Sequence, residues 1–176
     1  MARSTDHRTT PPIEQLQTTV KLPETPALAR VYVHVLRAGP TTVSELIDGL
    51  DIPQGTAYDY VKRLEAAGLF EKTREERPAE YEAEAVSLTF SAEDETRTIT
   101  PELVDAAARR AEDADIDVYV DRHGIDGLAI ALDYAHEYVD GEVNHRIAAR
   151  ELDVSPLEAE IVLQALEPVV LAHRDG

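Results

Sequence analysis

The chain contains no cysteine, which excludes disulfide staples, thiolate metal sites and thiol redox chemistry. Lysine is almost as scarce: of 17 basic residues only Lys21, Lys62 and Lys72 are lysines. No apolar run approaches the ~20 residues that a membrane span needs, and residues 1–10 hold no apolar signal core. A soluble, cytoplasmic protein without a membrane partner is therefore expected. A Gly-rich phosphate loop, a Gly-flanked nucleophile and a His-Glu-x-x-His pair are also missing. His123, His136 and His145 share the C-terminal half with Asp121 and Asp133, but their spacings form no compact ligand set. No enzyme activity, cofactor or metal is expected, and these histidines read as satisfied or surface residues.

What the chain has in excess is carboxylate. Its 176 residues carry 35 Asp and Glu, for a formal net charge of −18. Hydrophobic residues still make up 43%, enough to fold one or two domains and to exclude a disordered acidic polymer. Many carboxylates with few lysines resemble the proteome style of salt-accumulating haloarchaea, where ions screen repulsion to about 3 Å at 1 M salt. The charge is unevenly spread. Residues 1–20 are neutral, residues 21–90 carry −4 (twelve acids, eight bases), and residues 91–176 carry −14 (twenty-one acids, seven bases). The expected organisation follows these segments: an N-terminal arm (1–20), a first domain (21–90) and an acidic second domain (91–176).

The arm is rich in Thr and Pro, with a short helical start near residues 13–20, and its Arg3 and Arg8 read as part of a solvated tail. From Thr25 the pattern is helical: Pro26 suits the first turn, and Leu28, Val31, Tyr32, Val35 and Leu36 recur on one face until Gly39-Pro40. Thr42 and Glu45 form a capping box opening a second helix, with Val43, Leu46, Ile47 and Leu50 on one side. After residues 51–55 a third helix runs to about Ala67, with Ala57, Val61 and Leu64 inward and Gly68 as its stop. Three short helices with a tight turn between the last two spell a helix-turn-helix. Residues 69–73 and 79–85 then read as a β-hairpin around the polar turn 74–78, which would be a wing.

Residues 25–85 thus resemble the winged helix-turn-helix transcriptional regulators of the TrmB-like and MarR/ArsR-like groups. The resemblance is carried by Ala29-Arg-Val-Tyr32, Gly39-Pro-Thr-Thr-Val-Ser-Glu-Leu46, Ile52-Pro-Gln-Gly-Thr-Ala-Tyr58, Leu64-Glu-Ala-Ala-Gly-Leu69 and Arg77-Pro-Ala-Glu-Tyr81. It implies double-stranded DNA as the partner. With Ala57, Val61 and Leu64 inward, Thr56, Lys62 and Arg63 turn outward, and Gln54 and Tyr58 lie at the end that enters a major groove. Gln54 matches an adenine edge, Thr56 a base or phosphate, Tyr58 a phosphate or thymine methyl, and Lys62 and Arg63 the backbone. Thr42 is a phosphate candidate at a helix start. Lys72, Arg74 and Arg77 put positive charge on the wing. Asp59, Glu75 and Glu76 oppose this reading. The alternative is a winged-helix adaptor whose same face binds a basic protein.

In the second half, Thr100-Pro101 caps a helix expected to run to about Asp113. Residues 116–121 alternate as a strand, to which 86–90 and 97–99 would add, and a helix is expected from Gly124 to Val139, closed by Gly141. The expected fold class is α+β. Residues 145–154, followed by the capping box of Ser155 and Glu158 with Pro156 at the first turn, repeat the helix-turn-helix rhythm. The second helix of this pair carries Glu158, Glu160 and Glu167 and no base, so it is expected to serve structure or homodimer formation rather than a second DNA contact. The sequence identifies no effector ligand, operator or direction of regulation.

Overall fold

The computed structural model describes residues 12–175, so Arg3 and Arg8 lie outside the described residues. The chain divides into two compact units: residues through Leu22 with Val31–Val86, and Pro23–Arg30 with Ser87 onward. Among the described residues no helix is long and apolar enough to cross a membrane.

The first unit contains helix α1 (Pro12–Lys21), the part of helix α2 (Pro26–Ala38) that begins at Val31, helix α3 (Val43–Leu50) and helix α4 (Gln54–Ala66). Strands β1 (Thr41–Thr42), β2 (Phe70–Arg74) and β3 (Glu80–Ala83) form an antiparallel sheet in the order β1-β3-β2. Local chemistry sets most of these boundaries. The Thr42 hydroxyl accepts from the Glu45 N–H at 3.2 Å while Glu45 Oε2 accepts from the Thr42 N–H at 2.9 Å, a reciprocal cap that starts α3. Gly68, at φ 77, ends α4: Leu69 N–H reaches the Leu64 carbonyl at 2.9 Å and Gly68 N–H reaches Glu65 at 3.0 Å. The core holds Val31, Tyr32, Val35, Leu46, Ala57, Val61, Leu64 and Phe70, so the apolar stripes expected of the three helices are the faces that pack. The wing is the β2-β3 hairpin. Strand β1, two residues long, escaped the sequence reading because alternation cannot show in so short a segment.

In the second unit, strands β4 (Leu88–Ala92) and β5 (Glu95–Ile99) pair with each other, from Leu88 with Ile99 to Ala92 with Glu95. Helices α5 (Pro101–Ala108), α6 (Ala114–Val139), α7 (His145–Leu152) and α8 (Pro156–Arg174) follow. Leu103, Ile116, Tyr119, Leu128, Leu132, Leu163, Leu166 and Val169 lie in one buried cluster. The α+β class holds, but three expectations fail. Residues 116–121 are helical, within α6. Asp113 caps them, its carboxylate accepting from the N–H groups of Asp115 and Ile116, and Ile116, Tyr119 and Val120 are buried at helical spacing while Val118 faces out. The Ile-x-Val-x-Val alternation mimicked a strand. The strands expected near 86–90 and 97–99 therefore pair with each other alone, and residues 91–95 close their hairpin, with Glu93 left-handed at φ 56. Finally, α5 ends at Ala108 in a short turn of 3-10 helix, residues 109–111, instead of continuing to Asp113.

Gly124, the expected start of a helix, is where the backbone leaves helical geometry inside α6, at φ 72 and ψ −178. Leu128, Leu132 and Ala135 are buried beyond it, Val139 is partly buried, and Gly141, at φ 76, follows the helix end. The second helix-turn-helix is present. Asn144 caps α7, Asp153 turns at φ 55, and the Ser155 hydroxyl accepts from the Glu158 N–H at 3.1 Å to open α8. Three histidines of this unit pair with carboxylates across helices: His123 Nε2 with Glu158 at 2.8 Å, His136 Nε2 with Glu102 at 2.7 Å, and His173 Nε2 with buried Asp105 at 3.0 Å, while His145 is half-buried at the start of α7. Among the described residues no group of three or more His, Asp or Glu is arranged to hold a metal ion.

Candidate nucleic-acid interface

Helix α4 packs through Ala57, Val61 and Leu64, and at 100° per residue the opposite arc is Gly55, Asp59, Lys62 and Ala66. All four are exposed. Gln54 and Tyr58 flank this arc toward the start of the helix, both exposed, with 52% of Tyr58 accessible. Gly55 was not among the expected contact residues. An added Cβ there would meet nothing within 4 Å, so the absent side chain serves no internal packing and leaves the helix backbone bare on its outer face. A glycine in the first turn of a reading helix is the sequence signal that could have found it.

The cations of this unit differ in how free they are. Lys62 and Arg77 are exposed, and among the described residues neither takes part in an ion pair. Arg63 lies half-buried, its guanidinium 5.9 Å from the Tyr60 ring and 4.0 Å from Asp59. Lys72 Nζ is 3.9 Å from Glu75 and 5.9 Å from the Tyr81 ring. Arg74 is the most committed: two of its nitrogens donate to the Pro78 carbonyl at 3.0 and 2.7 Å, bracing the wing turn, and a third lies 3.6 Å from Glu80.

Thr56 is half-buried on the flank of α4. Thr42 is 8% exposed, pairs with Glu80 through β1-β3, and its hydroxyl oxygen accepts the cap bond that opens α3. Tyr81 marks where helix and wing share a surface. Burial raises its hydroxyl pKa above the ordinary value, Lys72 opposes the rise, and Glu65 on α4 adds to it. The wing itself is anchored by Tyr32. Its hydroxyl donates to the Glu84 carbonyl at 2.7 Å and accepts from the Val86 N–H at 2.9 Å, and burial pushes its pKa up to about 12.

The structure therefore gathers Gln54, Tyr58 and Lys62 on one exposed helix face, and carries Lys72, Arg74 and Arg77 on the adjoining hairpin. It does not place Thr42 among them. Acids are interleaved throughout: between Gln54 and Ala83 there are seven, Asp59, Glu65, Glu71, Glu75, Glu76, Glu80 and Glu82, against five bases, a net of −2. Such a surface attracts phosphate weakly over distance, leaving selectivity to short-range contacts.

Comparison with known proteins divides the chain in a similar way. Residues 26–87 match the family model of TrmB, described as a sugar-specific transcriptional regulator, and residues 110–175 match DUF7437, a family of unknown function. No curated protein and no solved structure matches the chain. The winged helix-turn-helix of residues 26–87 is thus similar to the DNA-binding domain of a transcriptional regulator family.

Proposed function

We propose that the protein is a sequence-specific, DNA-binding transcriptional regulator acting as a homodimer rather than an enzyme, with α4 in the major groove and the wing beside it. The observation that carries this reading is the outer arc of α4. It belongs to the second helix of a helix-turn-helix whose first helix is capped, is exposed among the described residues, and presents a bare backbone at Gly55 beside Gln54, Tyr58 and unpaired Lys62. Gln54 and Tyr58 select the site, and Lys62, Arg63 and the wing cations position it. The acidic composition fits a salt-rich, haloarchaeal cytoplasm, in which screening removes most repulsion between two polyanions.

A second reading has one observation in its favour, the net −2 of residues 54–83, which suits a basic protein partner in an adaptor of the transcription machinery. Selection from a random duplex library in concentrated potassium salt separates the two. For the regulator, the parent enriches a two-fold symmetric site, Gln54→Ala flattens base preference at one position per half-site, and Lys62→Ala with Arg63→Ala weakens binding to all sequences alike. A parent that enriches no duplex would sink the DNA reading and leave the adaptor.

A further inference from the structure

Among the described residues, the second unit leaves an apolar groove uncovered. It has a volume of about 300 Å³ and lies between the first part of α6 and the start of α8. Val118 is 46% exposed there, Leu157 66% and Ile161 39%, a cluster of large apolar side chains that costs free energy to leave in water. The rim is charged and ordered. Glu158 accepts from His123 at 2.8 Å and lies 3.5 Å from Arg122, while the His123 ring lies against Tyr119, tilted by 44° with ring centroids 4.4 Å apart.

Charge on this face follows a self-complementary pattern. Asp115, Val118 and Arg122 stand at i, i+3 and i+7, so they share one side of α6 and span about 10 Å. When two copies of such a helix meet antiparallel about a two-fold axis near Val118, each Asp115 faces the other copy's Arg122 and the two Val118 side chains meet at the centre. An isologous contact requires this pattern, in which residue i meets j and j meets i. Asp115 is available for it, since among the described residues no ion pair holds its carboxylate. Arg122 remains exposed despite its contact with Glu158. A basic partner would gain from Asp115 but be opposed by Arg122, and an acidic one the reverse. A second copy of the same chain satisfies both charges while covering Val118, Leu157 and Ile161.

We infer that this face, centred on Val118 and flanked by Leu157 and Ile161, is the homodimer interface of the protein, with Asp115 of each copy paired to Arg122 of the other. The inference deepens the homodimer part of the proposed function, and its test uses no DNA. Sedimentation equilibrium of the full chain gives the dimer dissociation constant, with circular dichroism confirming the fold. Leu157→Glu with Ile161→Glu, both at exposed positions, raises that constant by roughly a hundredfold, as expected for charges forced into the apolar centre of an interface. Asp115→Arg and Arg122→Asp each raise it about tenfold, and the two together return it to within about threefold of the parent, because the pair is restored in reverse. A parent monomeric at every concentration means that something else covers the groove and overturns the inference. Dimers indifferent to Leu157→Glu with Ile161→Glu, or failure of the reversed pair to restore dimers, overturn the interface while leaving the homodimer intact. Loss of duplex selection by a parent that still dimerises would overturn the DNA reading alone.

Discussion

Salt dependence tests the reading face most sharply, because the structure divides its cations into free and engaged. Each phosphate neutralised by a lysine or arginine releases condensed counterions and contributes about −0.9 to the slope of log K against log salt. A cation already beside a carboxylate contributes little: when it moves to a phosphate, the carboxylate it leaves takes up a cation, and release and uptake cancel. Arg63, Lys72 and Arg74 are of this kind, whereas Lys62 and Arg77 are not. With two free cations per reading head the expected slope is about −1.8 per head and about −3.6 for a dimer, against about −9 if all five cations counted. A tenfold rise in salt should then weaken binding about four-thousandfold rather than about a billionfold. Fluorescence anisotropy with a selected duplex over a potassium chloride series measures this. Lys62→Ala with Arg77→Ala should bring the slope close to zero. A parent slope near −9, or a slope that the double substitution leaves unchanged, would refute the division of cations on which the reasoning rests.

Two other outcomes follow from side chains that hold each unit together. Tyr32→Phe keeps the ring but removes the hydroxyl from between Glu84 and Val86, leaving the buried Val86 N–H unpaired, so urea unfolding should show a loss of about 1–3 kcal/mol; a loss below about 0.5 kcal/mol would mean that the anchor is dispensable. Glu158 is held below its ordinary value of 4.5 chiefly by the hydrogen bond from His123, so its contribution to stability is complete above pH 4.5 and disappears as pH falls through the depressed value. Unfolding of the parent and of Glu158→Gln across this range should show a gap that closes on acidification, and a gap constant with pH would contradict the assignment.

The sequence by itself determined the elements whose ends are written in local chemistry. Thr42 with Glu45, Gly68, Thr100 with Pro101, and Ser155 with Glu158 each set a helix boundary within about one turn, because a cap acts over one turn. The inward stripe of α4 was equally legible, and with it which side chains point away from the core. The first part of α6 was not, since Ile116, Val118 and Val120 alternate like a strand and only packing on Ile116, Tyr119 and Val120 selects the helix. Strand β1 exists because β3 lies beside it, which no property of two threonines announces. The candidate site divides in the same way. Composition and periodicity could name Lys62, Arg63, Lys72, Arg74 and Arg77, but which of them a carboxylate holds depends on residues that meet through folding. The same cause uncovered Val118, Leu157 and Ile161. An apolar side chain's place in the sequence shows that it should be buried, but whether its own chain covers it is decided by how the helices pack.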